Sequence, residues 1–334
     1  MWTRVCTIAL FVALAACEDS KLTTPRGASS SSGSPSVQRD GGSQSTDGWG
    51  DPTTTRREGT LRIAQLNVRR FFDSTCDSGN CQAGGFEEQP TSAEVEARAA
   101  QIATALAELQ ADVITLAEVE NQGCLDAVNE KLKEAGFEYP VAHVADTGTP
   151  GSVDVAVLSR GSLTKVTTHR QETAPLLRPD ATQTIFTREL PEVHLTFGAR
   201  KVIVFAAHFR SKSDDDPGRR LAEAQKTQEL VVAAGKANTN ALVLLGGDLN
   251  DTPGSDPIDA LEKDGALVRV AKDLPAQSQG TYRFNGTLQA IDHIFTTAAR
   301  ANAYVAQSAR VVREGNGGFA GSDHAALYAD FTLP

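Results

Sequence analysis

Near its C-terminal end the chain reads AGSDHAAL, residues 320–327, in which Asp323 and His324 lead into an apolar run. A Ser-Asp-His tripeptide suits half of a hydrolase triad, part of a metal site or a polar turn, so its partners must decide. Candidate partners close the apolar runs elsewhere: Asn67 after LRIAQL, Glu118 in DVITLAE, His208 in KVIVFAAH, Asp248 and Asn250 in LVLLGGDLN, and Asp292 inside QAIDHIF. Strand ends of an α/β fold gather at one sheet edge, where sites are built. Glu118, Asp323 and the Asn67 amide are hard oxygen ligands suited to Mg²⁺, with Mn²⁺ or Ca²⁺ also compatible. Asp248 and Asn250, two apart on a turn, face one side and suit a phosphate. His208 and His324 add groups that ordinarily titrate near neutrality. An acidic metal pocket with two histidines fits metal-assisted attack of water on phosphorus. A serine nucleophile does not fit, because no G-x-S-x-G elbow is present and Ser322 follows no strand.

Secondary expectations concern neighbouring cations. Arg160 after VDVAVLS, and Arg210 and Lys212 in HFRSK, are candidate phosphate contacts, with Arg219 or Arg220 on the next helix as further ones. His293 alternates with Asp292 along a strand, so it should face the other way and be structural. His143, His169 and His194 lie outside these segments and read as surface residues, and Phe71 and Phe72 as core.

The elements that must position these groups alternate between strand and helix. LRIAQLNV (61–68), DVITLAE (112–118), VDVAVLS (153–159), KVIVFAAH (201–208), ALVLLGGD (241–248), QAIDHIF (289–295) and AALYADF (325–331) read as strands. TSAE (91–94) opens a helix to Gln110 with Val95, Ala99, Ile102, Leu106 and Leu109 on one face. A short helix spans Cys124–Ala135 before Gly136, and another follows Pro217 with Leu221, Ala224, Gln228 and Val231 inward. Evenly spread strands of this kind call for one domain of two sheets with helices outside.

In order and spacing, LNVRRFFD, LAEVEN, AAHFRSK, GGDLNDTP, IDHIF and GSDHAAL resemble the successive motifs of the endonuclease/exonuclease/phosphatase superfamily, over nearly all of residues 60–331. The resemblance implies a four-layer α/β sandwich, two mixed β-sheets packed face to face with helices outside, and a metal-dependent phosphodiesterase or phosphomonoesterase. Carried over by motif, His324 is the general base oriented by Asp292. Glu118 is the principal Mg²⁺ ligand, with Asn67 and Asp323 near the metal. Asp248 and Asn250 position the nucleophile and a phosphate oxygen, and His208 donates to phosphoryl oxygens. GGDLNDTPGSDP after HFRSK looks most like the extracellular nuclease branch, which makes DNA the favoured substrate. A sphingomyelinase-like lipid phosphodiesterase or a phosphatase is the alternative within the superfamily, and a non-catalytic surface-binding lipoprotein the alternative outside it.

The 334 residues, 40% hydrophobic and 22% charged, have the composition of a soluble globular protein. A net charge of −10 argues against tight, nonspecific holding of nucleic acid, yet leaves room for an enzyme meeting phosphates at a metal-lined cleft. Residues 1–16 read as a lipoprotein signal: MWTR, an apolar run, then Ala15-Ala16 before Cys17, the expected lipidation site. Residues 17–58, rich in Ser, Gly, Thr and Pro, read as a disordered tether, leaving 59–334 as the folded domain. The expected location is the bacterial cell envelope, preferably the outer membrane, or outside the cell, with the membrane touched through the anchor alone and the protein monomeric. Cys76 and Cys81, the nearest cysteine pair, are the candidate disulfide, with Cys124 left over.

Overall fold

The computed structural model describes residues 59–171, 176–315 and 317–334. The signal, Cys17 and the tether lie outside the described residues. In chain order the strands are β1 (Thr60–Phe71), β2 (Val113–Val119), β3 (Val141–Ala145), β4 (Asp154–Ser159), β5 (Ser162–Thr167), β6 (Leu176–Leu177), β7 (Gln183–Thr184), β8 (Glu192–Phe197), β9 (Arg200–His208), β10 (Ala241–Asp248), β11 (Leu267–Arg269), β12 (Tyr282–Phe284), β13 (Thr287–Gln289), β14 (Asp292–Thr297), β15 (Arg310–Val312) and β16 (Ala326–Thr332). The helices are α1 (Ser92–Leu109), α2 (Gln122–Glu134), α3 (Pro217–Ala237) and α4 (Asp256–Glu262).

Two six-stranded sheets form, ordered β15-β16-β1-β2-β4-β3 and β11-β14-β10-β9-β8-β5. Each is mixed: β1 runs parallel to β2 and β9 parallel to β10, while their other neighbours are antiparallel. One apolar cluster lies between the sheets, joining Leu61, Ile63, Val113 and Leu327 to Val202, Val204, Leu242 and Ile294. A second cluster packs α1 and α2 on the outer face of the first sheet, through Ile102, Leu106, Leu125 and Val128 against Leu66, Ile114 and Leu116. A third packs α3 and α4 on the second sheet, through Ala224, Val231 and Ile258 against Phe205, Val243 and Leu245. The four layers are therefore α, β, β and α. Gly246 permits the close approach of the sheets, since a Cβ there would stand 2.6 Å from the Thr115 hydroxyl.

The helix starts follow local rules. Thr91 and Glu94 form the capping box of α1, Asn121 caps α2, and α3 begins on Pro217 with Asp216 accepting from the Arg219 N–H. The buried stripe of α3 is Arg220, Glu223, Ala224, Thr227 and Val231, whereas Leu221 and Gln228 are only partly covered. The expected face is thus rotated, because Arg220 and Glu223 turn inward to charged and backbone partners. Phe71 and Phe72 are core residues. His169 is not a surface residue: it is buried, 3.0 Å from Glu192 and stacked on Phe205. His143 and His194 are partly buried. The Cys76–Cys81 disulfide is present and Cys124 is a buried free thiol in the core under α2.

Candidate active site

Strand alternation carries the polar residues into the gap between the sheets. On β1 the inward row Leu61, Ile63 continues as Gln65 and Asn67. On β9 the row Val202, Val204, Ala206 ends at His208, and on β10 the row Leu242, Leu244, Gly246 ends at Asp248. Register then aligns three of them, since Asp248 stands opposite His208 on one side and Asp292 on the other. Each apolar row thus drives its own polar end to the same rim.

Glu118 reaches this rim by a different route. On β2 it follows Ile114 and Leu116, whose side chains point to the outer helical layer. The pairing shifts register around it, with Ala117 opposite Val155 and Val119 opposite Asp154, and Glu118 has φ 67°. This bulge in the left-handed region re-aims the carboxylate, the kind of local strain that gathers at functional sites.

The side chains interlock across the two sheets. Asn67 Nδ2 donates to Glu118 Oε1 and to Asp248 Oδ2, both at 2.9 Å. Its oxygen accepts from the Arg69 N–H, so Asn67 ties the two carboxylates together while its amide oxygen, the atom expected near a metal, is turned to the backbone. The second Glu118 oxygen accepts from the Arg70 N–H, and Asp248 Oδ1 from the Asn250 N–H. His208 Nε2 lies 4.0 Å from Glu118 and 3.7 Å from Asp248. His324 Nδ1 is bonded to Asp292 Oδ2 at 2.8 Å, and its Nε2 lies 3.8 Å from Asp248. Ser322 holds this segment, donating to the Asn67 carbonyl and accepting from the His324 N–H.

Burial and charge set the protonation of these groups. Burial alone would lower the His324 pKa, but Asp292 and Asp248 outweigh it and push the imidazole up to about 10. Asp248 is pushed up to about 7 by burial and by the charge of Asp292, against the pull of His324 and the Asn67 hydrogen bond. His208 is held well below its ordinary value by burial, with Arg188 and His324 adding to the effect.

The donor set fits a divalent cation. Ligand atoms of Glu118, His208 and Asp248 all lie within 4.8 Å of one another, as do those of Asp248, Asp292 and His324. Two carboxylates tied by one amide are hard oxygen donors preset at a spacing that a cation can bridge. Asp323 belongs to neither group and faces Arg69 at 3.7 Å, with 41% of its side chain exposed.

The expected phosphate contacts fare differently. Arg160 lies at the far end of its sheet: β4 runs antiparallel to β2, so Ser159 stands opposite Val113, at the opposite end of β2 from Glu118. Its guanidinium covers the Phe137 and Tyr139 rings instead. Arg210 pairs with Asp214, and Lys212 with Asp251 at 2.8 Å. Arg220 is buried between Asp215 and Asp251, and Arg219 lies 3.6 Å from Glu223. His293 is buried on the outer face, bonded to the Asp251 carbonyl. Asn250 has φ 53° and donates its amide to the Phe209 carbonyl.

Three further residues, Arg188, Glu223 and Tyr282, adjoin the site. Arg188 sits in the loop before β8 and donates to the Phe209 carbonyl at 3.4 Å; burial lowers its pKa against the attraction of the surrounding carboxylates, and its charge helps keep His208 neutral. Glu223, fully buried on α3, accepts from the Thr187 N–H at 2.6 Å and the Arg210 N–H at 2.7 Å. It pins both loops that follow or precede the site. The Tyr282 ring lies 4.8 Å from that of His324. None of the three ends an apolar strand, so nothing in the residue pattern marks them.

The family model described as "Endonuclease/Exonuclease/phosphatase family" matches residues 64–324. The chain belongs to the endonuclease/exonuclease/phosphatase family. Membership makes it an enzyme that hydrolyses phosphate esters, and the matched span runs from β1 to His324. Among curated proteins none matches the chain in sequence. Solved structures share the family fold at low identity. Truncated Caenorhabditis elegans TDP2 is 16% identical with a TM-score of 0.58, over 82% of this chain and 97% of that one. The human Nocturnin catalytic domain with bound sulfate is 18% identical with a TM-score of 0.57, over 83% and 95%. D. rerio TDP2 complexed with a single-strand DNA product is 17% identical with a TM-score of 0.55, over 82% and 99%.

Proposed function

We propose that this protein is a divalent-metal-dependent nuclease, exported and held at the bacterial cell envelope through lipidated Cys17. The observation that carries the catalytic reading is the Asn67 bridge between Glu118 and Asp248, with the His324–Asp292 pair facing it. Glu118 and Asp248 would hold Mg²⁺. When bound, the cation polarises a phosphoryl oxygen and offsets the carboxylate charge that otherwise keeps His324 protonated.

His324 Nδ1 stays on Asp292, which leaves Nε2 to accept a proton from water. The water oxygen forms the new bond to phosphorus while the phosphorus–oxygen bond to the leaving group breaks. Asp248 and the Asn250 loop position the water and a phosphate oxygen. His208, neutral, donates to a phosphoryl oxygen, and Arg188 adds positive charge to this side of the pocket, so that charge developing on oxygen meets preset donors. The similar fold of a TDP2 complexed with single-strand DNA product supports a nucleic-acid substrate, and the lipoprotein-type N-terminus supports export.

The test is a substrate panel with Mg²⁺: plasmid DNA, a single-stranded oligonucleotide, RNA, sphingomyelin and an inositol polyphosphate. Metal-dependent cleavage of DNA is expected, with Glu118→Gln weakening the metal requirement's half-saturation roughly 10- to 100-fold. Turnover of sphingomyelin alone would replace the nuclease reading by the lipid one.

A further inference from the structure

On β1 the inward row runs Leu61, Ile63, Gln65, so an amide stands where alternation calls for an apolar side chain. Gln65 is fully buried, and a buried amide is stable only with partners. It finds them on both sheets. Thr115, its register partner on β2, donates its hydroxyl to Gln65 Oε1 at 2.6 Å, and Gly246 on the facing sheet leaves the room this hydroxyl needs. Across the gap, Gln65 Nε2 donates to Asp292 Oδ1 at 3.3 Å. The other oxygen of that carboxylate accepts from His324 Nδ1 at 2.8 Å. Thr115, Gln65, Asp292 and His324 therefore form one buried chain that starts on β2 and ends at the imidazole.

The amide has a second setting. Turned over, it would donate to the Thr115 carbonyl at 3.0 Å and accept from the Asp248 N–H at 3.3 Å, with its oxygen set against Asp292 Oδ1. Charge decides between the two. An ionised Asp292 attracts the NH2 group and repels the oxygen, and a charged acceptor makes the stronger hydrogen bond. With the NH2 group on Oδ1, the carboxylate is held at both oxygens and keeps its plane toward the imidazole. Without it, a buried carboxylate oxygen loses a donor and the plane loses one of these two anchors.

We propose that Gln65 is a positioning residue for the hydrolytic site: backed by Thr115, its amide fixes the Asp292 carboxylate and through it the ring of His324. This rests on the reading of His324 as the group that accepts the proton. It adds a residue that neither the strand ends nor the family motifs single out.

The experiment measures kcat and KM on bis(p-nitrophenyl) phosphate in Mg²⁺, and follows the low-field Nδ1–H proton of His324 by NMR in the metal-free protein. Gln65→Met keeps the volume and removes the amide. It is expected to lower kcat roughly tenfold, the worth of one hydrogen bond to a charged group, with KM unchanged. The Nδ1–H resonance should move upfield. Thr115→Val, which leaves the amide free to turn over, should move it less. In an Asp292→Asn background, Gln65→Met should add no further loss of kcat, because it acts through Asp292.

A Gln65→Met protein with wild-type kcat and an unmoved resonance overturns the proposal and leaves the catalytic reading of His324 standing. So does a loss of equal size with and without Asp292→Asn, which places the effect on Asp248 instead. If Gln65→Met does not fold, Thr115→Val decides, and an unmoved resonance there overturns the proposal. Hydrolysis at the wild-type rate by His324→Ala overturns the catalytic reading, and the proposal with it.

Discussion

His208 at the end of β9 and His324 in the loop before β16 approach the same Asp248 oxygen, at 3.7 and 3.8 Å. Both are buried, yet one is held neutral and the other charged. The second ring nitrogen explains the difference. His324 Nδ1 bonds to Asp292, whereas His208 Nδ1 has no hydrogen-bond partner among the described residues and Arg188 acts on the ring. One fold thus prepares a proton-holding imidazole and a neutral donor within one pocket, with equal burial and unequal neighbours.

The largest effect expected on this pair comes from His324→Ala. It should lower kcat on a phosphodiester by about 10²–10⁴-fold while the circular-dichroism spectrum and cooperative unfolding are retained. Hydrolysis at the wild-type rate would remove His324 from the chemistry and reverse the assignment of the two histidines.

A smaller effect separates their electrostatics. In the metal-free protein the folded-state pKa of His324, about 10, exceeds its ordinary value of 6.5. The charged imidazole therefore adds stability that is complete below pH 6.5 and is lost as pH rises toward 10. Asp292→Asn removes the main source of that attraction. Its destabilisation relative to wild type, read by urea unfolding, should shrink between pH 6.5 and pH 10. A gap independent of pH would place the source elsewhere.

The smallest effect is expected far from both histidines. Arg160→Ala removes only the cover over Phe137 and Tyr139, worth about 0.5–1 kcal/mol, and should leave kcat/KM unchanged. A fall in kcat/KM would mean that substrate extends across the whole sheet.

How much of this was legible follows from where each residue sits. Asn67, His208 and Asp248 end apolar, alternating runs, so both their strand and their inward direction can be read from the chain. Glu118 is legible as a strand end, but its direction is not, because the bulge that turns it is a product of pairing with β1 and β4. Arg160 also follows a strand yet lies at the opposite edge, because strand direction within the sheet is not written in a single strand's pattern.

The sequence by itself determined the alternating elements, the capped helices, the family motifs and the inward rows, all of which depend on neighbours within a few residues. Only the tertiary structure decided that Asn67 ties Glu118 to Asp248, that Asp292 holds His324 charged, that Arg188 stands by His208, and that Tyr282 lies against His324. Those are contacts between separate strands and loops, and they exist only once the two sheets have packed and brought their polar ends to one rim.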